Sequence, residues 1–335
     1  MKVLVTGATG FVGSHMVDFL LENCPEVEIH GTKRYHLSRV DKIQHVYDRI
    51  VWHDINLLEA SAVSRLIQEL RPDVVFHFAA ESFVSPSWSH PTVYMRSNFD
   101  LTVNLLEAIK NYSPETVIHI PGSGEEYGDV AEGDLPITNS TVLNPVNPYA
   151  VTKISQDLIA YVYFRSYGVR VVRTRAFNHE GPRRENVFGI PWYAFQIARI
   201  EKGLSAPELK VGTISDKRNF THVRDMVRAY WLASQKCEYG KLYLVGNPSV
   251  SSVYTFEDAI KRLLEVSEVQ DVTVSVDSRY VRPTAVPFLI ADVSEFQAVS
   301  GWAPVLSFDD ILLDTLNYWR DVIEANPHYA KISAL

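Results

Sequence analysis

Lys2-Val3-Leu4-Val5-Thr6-Gly7-Ala8-Thr9-Gly10-Phe11-Val12-Gly13-Ser14 is the stretch that decides the fold. A short apolar run leads into three glycines spaced three and three, and residues with helical spacing follow. Glycines at that spacing permit a tight turn, close approach of backbone to a pyrophosphate, and close packing of a helix whose N-terminus faces the phosphates. The expected arrangement is a strand, a phosphate-cradling loop and a helix starting at about Ser14, the opening of a dinucleotide-binding unit.

Working outward, short apolar runs recur at 27–30, 50–52, 74–78, 117–120 and 169–172. Between them Gly13 to Asn23, Leu57 to Glu69, Arg96 to Asn111 and Tyr149 to Tyr167 carry apolar residues at helical period. Continuous apolar strands alternating with helices predict an α/β fold built on a doubly wound parallel sheet, Rossmann-like in type. After Val172 the pattern loosens, with helical stretches at Trp192 to Lys202, Thr255 to Ser267 and Phe308 to Glu324 and an apolar run at 242–245. The expected organisation is a dinucleotide-binding domain over 1–175 with a return segment at about 220–246. A smaller α+β substrate-binding lobe is expected from 176–219 and 247–335, with Trp302 in its core. Ligands of open α/β sheets sit at the carboxyl ends of the strands, so the lobe is expected to close over that crevice.

Composition narrows the function classes. Of 335 residues 46% are hydrophobic and 21% charged, which is ordinary globular usage and excludes disordered or low-complexity chains. With 32 basic and 40 acidic side chains the formal net charge is −8, which disfavours nucleic acid and anionic membranes as partners. No apolar run approaches the ~20 residues that cross a bilayer. Two distant cysteines, Cys24 and Cys237, cannot build a disulfide framework or a zinc site, so no metal is expected. With no export-signal pattern at Met1 to Gly7, the reading is a cytoplasmic protein.

The second strand ends Ile29-His30-Gly31-Thr32-Lys33-Arg34, with two cations where NAD-preferring sites carry an acid. Arg34 suits a 2′-phosphate, which favours NADP over NAD. Asp54 and Ile55, after the third strand, are placed to meet the adenine edge. Tyr149 and Lys153 stand four residues apart on one helical face. A phenol with a free pKa of ~10 becomes a useful base only when a cation stabilises its phenolate, which Lys153 can do. Upstream, Ser123-Gly124-Glu125-Glu126-Tyr127-Gly128 places a hydroxyl and two carboxylates at a carboxyl end of the sheet.

At these residues the chain resembles the extended short-chain dehydrogenase/reductase family along essentially its whole length. The glycine triplet, Phe78-Ala79-Ala80, Asn98, Ser123, Tyr149 and Lys153 stand in the family's order. The resemblance implies that Ser123 hydrogen-bonds the substrate oxygen, Tyr149 exchanges its proton and Lys153 holds the nicotinamide ribose. Asn98 takes a structural, water-binding role. The implied cofactor contacts are Gly7, Thr9, Gly10, Phe11, Val12, Arg34, Asp54, Ile55, Phe78, Ala79, Ala80, Asn98, Tyr149 and Lys153.

A closer likeness points to the GDP-sugar branch. Residues 177–184, Phe-Asn-His-Glu-Gly-Pro-Arg-Arg, resemble a segment of GDP-mannose 4,6-dehydratases. Residues 217–225 and 282–287 resemble both those enzymes and GDP-4-keto-6-deoxymannose reductases, and Pro287 is the more reductase-like. The likeness implies a GDP-sugar substrate whose diphosphate meets Asn178, Arg218 and Arg282, with Ser82, in the segment 81–84, lining the sugar pocket. Arg183 and Arg184 hold cofactor across a subunit contact in relatives, but here Glu185 stands in place of the usual glycine. It also implies a homodimer or homotetramer, paired through the helices after Asn98 and from Tyr149.

Dehydratase and reductase share a hydride transfer at sugar C4, so Ser123, Tyr149 and Lys153 do not separate them. A dehydratase needs an additional acid/base to remove the C5 proton, and Glu125 stands where dehydratases carry it. Some reductases share Gly-Ser-x-Glu-Glu-Tyr-Gly, and Gly124 offers no side chain to a leaving hydroxyl. The preferred expectation is a dehydratase acting on GDP-mannose. The reductase, a related nucleotide-sugar epimerase and a non-catalytic NADP-sensing protein stand as alternatives.

Overall fold

The computed structural model describes residues 1–249, 252–281 and 288–329. In the first half, strands β1 (Lys2–Thr6), β2 (Glu28–Lys33), β3 (Val51–Asp54), β4 (Val74–His77), β5 (Val117–Ser123) and β6 (Arg170–Ala176) alternate with helices. These helices are α1 (Phe11–Asn23), α2 (Ala60–Leu70), α3 (Pro91–Met95), α4 (Leu101–Tyr112) and α5 (Pro148–Tyr167). The second half holds β7 (His179–Glu180), α6 (Gly189–Glu201), β8 (Glu208–Val211), β9 (Lys217–Asn219), β10 (Thr221–His222), α7 (Val223–Lys236) and β11 (Leu242–Val245). Then come β12 (Val253–Thr255), α8 (Phe256–Glu265), β13 (Thr273–Val276), α9 (Ser294–Ser300) and α10 (Phe308–Ala325).

Seven strands form one parallel sheet in the order β3-β2-β1-β4-β5-β6-β11. The chain reverses direction across the sheet between β1 and β4, the switch point where doubly wound sheets bind ligands. Alternate residues of each strand point to opposite faces. Val3 and Val5 pack with α1 and α7, whereas Leu4 packs with α2, α4 and α5. Both faces are therefore covered by helices, which is why the strands read as continuous apolar runs.

Three expectations change in detail. Helix α1 begins at Phe11 rather than Ser14, because Gly10 is extended (φ −85°, ψ −177°) and serves as its N-cap. Gly13 therefore lies in the first helical turn, where a Cβ would stand 2.1 Å from the Gly7 carbonyl oxygen. Strand β6 runs on through Arg173-Thr174-Arg175-Ala176, past the apolar run that signalled it. Trp302 belongs to the core under the sheet instead of the lobe. It packs with Phe296 and Tyr243, and its indole N–H donates to the Asp225 carbonyl at 2.9 Å.

The lobe has its own core, in which α6, α8 and α10 pack around Phe195, Leu209, Phe308 and Trp319. Short strand pairs β9–β12 and β8–β13 flank it. No helix among the described residues is long and apolar enough to cross a membrane.

Because Trp302 is 1% exposed and joins α7 to the segment after α9, truncation leaves a cavity that neither side can fill. Trp302→Ala is expected to cost roughly 3–5 kcal/mol. A chemical denaturation midpoint within experimental error of the parent's refutes this placement.

Candidate active site

The carboxyl ends of β1, β4, β5 and β6 open into a cavity of about 680 Å³ that extends to Arg218 and Tyr280 in the lobe. At its dinucleotide end Gly7 adopts φ +68°, and a Cβ there would fall 2.8 Å from the Ala79 amide nitrogen. Only glycine fits both the conformation and the space. The Gly10 N–H closes the turn on the Gly7 carbonyl at 2.8 Å. Helix α1 has neither a side-chain cap nor an acid in its first turn, so its leading N–H groups remain available to an anion. A nicotinamide dinucleotide fits this cradle: Gly7, Gly10, Phe11, Val12, Phe78 and Ala80 are in the cavity wall.

Ser123 ends β5 and caps the tight turn Gly124–Tyr127, accepting the Glu125 N–H at 3.2 Å. Tyr149 and Lys153 are delivered by α5. Asn147 caps that helix by accepting the Ala150 N–H at 2.8 Å, Pro148 occupies the first helical position, and the Asn147 amide donates to Glu125 Oε2 at 3.0 Å. One residue thus fixes both the start of the Tyr149 helix and the Glu125 carboxylate. Burial raises the Tyr149 phenol far above its usual value, with Glu125 and Glu126 adding to the rise and the Ser123 hydrogen bond and Arg184 opposing it. Burial lowers Lys153 to about 8 against the charges of Glu126 and Asp157.

The Lys153 ammonium donates to Gln156 Oε1 at 2.6 Å. Gln156 donates in turn to Thr102 Oγ1 at 2.7 Å, which lies 3.1 Å from His77 Nε2, and His77 Nδ1 lies 2.9 Å from Thr6 Oγ1. This buried chain links the lysine to the end of β1.

Ser82, Glu125, Asn178 and Arg218 also line the cavity. Thr9, Arg34, Asp54, Ile55, Ala79 and Asn98 are not part of its wall. Asp54 is paired with Lys33, while Arg34 is exposed at the end of β2. Asn98 is fully buried and ties Glu81 to α5: its oxygen accepts the Glu81 N–H at 2.8 Å, and its amide donates to the Glu81 carbonyl at 3.1 Å and to Thr152 Oγ1 at 2.8 Å. That geometry makes it a strut between Glu81 and α5. Arg282 lies outside the described residues.

Arg183 forms an ion pair with Asp18 at 2.6 Å within its own chain, and Glu185 pairs with Lys42 at 2.6 Å. Arg184 sits over the Phe188 ring at 3.9 Å and lines the cavity. His179 stacks on Phe11 at 6.0 Å, and His222 caps α7, so both act as packing and hydrogen-bonding residues. Phe83 lines the cavity as the reading of 81–84 expected, whereas Phe188 and Trp192 in its wall, and Asn147 and Gln156 behind it, were not anticipated. Asn147-Pro148 carried a usable signal, an N-cap residue followed by proline at the first helical position. Among the described residues no cluster of three or more His, Cys, Asp or Glu is arranged to hold a metal.

The profile of the family described as GDP-mannose 4,6 dehydratase matches residues 4–315. The chain belongs to this family. It is 29% identical to GDP-mannose 4,6-dehydratase of Yersinia enterocolitica, covering 98% of this chain and 95% of that protein. It is 30% identical to GDP-6-deoxy-D-mannose reductase of Pseudomonas aeruginosa, covering 95% and 97% respectively. Among solved structures, RMD from Pseudomonas aeruginosa complexed with NADPH superposes with a TM-score of 0.83 at 28% identity, over 96% of this chain and 99% of that one. A UDP-glucose 4-epimerase from Thermotoga maritima shares the fold at TM-score 0.83 and 24% identity, over 96% and 100%. Members of the GDP-mannose 4,6-dehydratase family are enzymes of the short-chain dehydrogenase/reductase type.

Loss of the Asn147 side chain removes a cap and the Glu125 contact together. Asn147→Ala is expected to destabilise by about 1 kcal/mol, and Asn147→Ser, which can still accept a helix N–H without setting a second carboxylate against Glu125, by less. Equal melting temperatures for Asn147→Ala and the parent refute the capping role.

Proposed function

We propose that the chain is an NADP-dependent GDP-sugar 4,6-dehydratase that converts GDP-mannose to GDP-4-keto-6-deoxymannose. The observation that carries this reading is Glu125, a carboxylate in the cavity wall held by Asn147 and two residues beyond Ser123. NADP, which Gly7, Gly10, Phe11 and Val12 would hold, would supply the redox chemistry, as acceptor of the hydride from sugar C4 and its donor at C6. Ser123 hydrogen-bonds the C4 oxygen while Tyr149 takes its proton, and Lys153 holds the ribose. A C4 ketone acidifies the C5 proton, which Glu125 removes and then delivers to the departing C6 hydroxyl, so that water leaves; as hydride returns at C6, Tyr149 gives C5 the proton it took from the C4 hydroxyl. Asn178, Arg218 and Arg282 meet the sugar diphosphate, guanidinium forks being matched to phosphate oxygens.

The choice of NADP is supported by Arg34, exposed at the end of a β2 that carries no acid there, while the neighbouring Lys33 is engaged by Asp54. The Pseudomonas structure complexed with NADPH supports the same choice.

One observation favours reduction of a 4-keto sugar instead. Gly124 brings no side chain to the site, and the Phe177 ring would stand 3.1 Å from a Cβ built there, so a hydroxyl or carboxylate side chain has little room. In that reading Tyr149 gives its proton to the C4 oxygen and Glu125 has no chemical step.

Incubation with GDP-mannose and no added NADPH separates the two. A 4-keto-6-deoxy product without net cofactor consumption is expected; no product there, with NADPH oxidised by the 4-keto sugar, overturns the dehydratase. Glu125→Gln is expected to lose at least about 10²-fold in kcat while still binding GDP-mannose. Tyr149→Phe abolishes turnover in either reading.

We further infer a cytoplasmic homodimer or homotetramer. Val151, Leu158, Tyr161 and Val162 are 41–48% exposed along the outer side of α5, an apolar stripe suited to a second copy. Light scattering is expected to give at least twice the 38.0 kDa chain mass, and Leu158→Glu to lower it to one chain. A monomeric parent refutes this.

A further inference from the structure

Lys42 and Glu185 face each other at 2.6 Å, and both stand in the wall of the same cavity as Gly7, Gly10, Phe11, Val12 and Gly13. Lys42 comes from the loop after β2 and Glu185 from the segment after β7, so the pair joins two separate stretches of chain beside the phosphate cradle. Their side chains are 10% and 28% exposed, which places the contact at the rim of the cavity and not on open surface.

Each stretch is fixed close to the pair. Ile43, next to Lys42, is fully buried in the core that also holds α1. On the other side the His15 Nε2–H donates to the Pro182 carbonyl at 2.9 Å, and Arg183 meets Asp18 at 2.6 Å, both partners lying on α1. His45 of the β2 loop donates to the same Asp18 at 2.8 Å. Arg183 and His45 are outside the cavity wall, whereas Lys42 and Glu185 are part of it. The segment is thus tied to α1 of its own chain on the outer side and crosses to the β2 loop on the inner side. Arg183 takes φ +68° in this crossing, a left-handed conformation that a residue with a Cβ keeps when its surroundings impose it.

Tyr149 and Lys153 share the cavity with the cradle, and Arg34, the first residue after β2, stands outside its wall. A dinucleotide reaching from Tyr149 and Lys153 to the β2 loop has to pass the crossing between that loop and the 182–185 segment. We propose that the Lys42–Glu185 pair is a gate over the dinucleotide cradle, which has to open for the cofactor to enter or leave. Retention of this kind suits a reaction in which one cofactor accepts a hydride and gives it back to the same sugar. That use rests on the dehydratase reading; the gate itself rests on a dinucleotide lying in the cradle.

The test is release of NADPH from the loaded protein, followed by stopped-flow loss of bound-NADPH fluorescence on mixing with excess NADP. Glu185→Gln and Lys42→Gln each remove one charge of the pair. A plain field effect moves them in opposite directions, since loss of a carboxylate strengthens the hold on an anion and loss of an ammonium weakens it. The gate moves them together, and release is expected to quicken roughly two- to fivefold in both. Lys42→Glu combined with Glu185→Lys can re-form the contact with its charges exchanged, so its release should return to near the parent's rate. Release left unchanged or slowed in either single variant, or a doubly substituted protein that releases as fast as the singles, overturns the gate. A parent that binds neither NADPH nor NADH overturns the reading of the cradle along with it. A parent that binds either one, with release unmoved by these substitutions, overturns the gate alone.

Discussion

Two arginines of β6 and one aspartate of α5 make the buried contact on which the site depends. Arg173 and Arg175 both reach Asp157, at 2.6 Å each, and Arg175 continues to Glu126 on the turn after β5. Three elements, β5, β6 and α5, are thereby fixed in register at the point where Ser123 and Tyr149 must meet. Apolar packing alone, being non-directional, tolerates small sliding of a helix over a sheet. Charged groups that must be neutralised in a low-dielectric interior tolerate it far less, since a displaced partner leaves an uncompensated buried charge. The network therefore bears more on geometry than on net stability.

That contact also explains where the sequence was hard to read. The apolar run 169–172 signals a strand, but Arg173 and Arg175 look like its end, because a charge in the middle of a parallel strand is unfavourable unless paired. The partner, Asp157, lies on the previous helix and is invisible to any local pattern. Helix α7 escaped for a related reason: His222 caps it and its polar face carries Arg224 and Arg228, so nothing announced a helix within the return segment expected at about 220–246. The dinucleotide loop was legible because its constraint is local, a carbonyl at Gly7 that leaves no room for a Cβ at Gly13. Trp302 was assigned to the wrong core because sequence order does not show that the chain returns under the sheet after α9.

The acidic balance of the chain sits beside a ligand pocket built for anions. Net charge governs long-range encounters, which are screened over about 10 Å at ordinary salt. Binding of a phosphate is decided over a few ångströms, by the uncapped start of α1 and by individual guanidinium groups. A protein with a net charge of −8 can hold an anion without contradiction, provided that its local acids are already engaged. The structure meets that condition repeatedly: Asp54 faces Lys33, Asp18 faces Arg183, and Glu185 faces Lys42.

Ser123, Tyr149 and Lys153 do not by themselves separate one reaction from another; what separates them lies in the turn between Ser123 and Gly128. Its four residues divide the work by size and burial. Gly124 yields its space to the Phe177 ring, Glu126 turns inward to Arg175, and Tyr127 supplies the hydroxyl that Arg175 also grips. Only Glu125 reaches the cavity wall with an ionisable group, steadied by the cap of the next helix. A carboxylate in the cavity wall, held by a neutral amide donor, gives the site a second proton acceptor besides the phenol. A second acid/base is what an elimination requires and a simple carbonyl reduction does not.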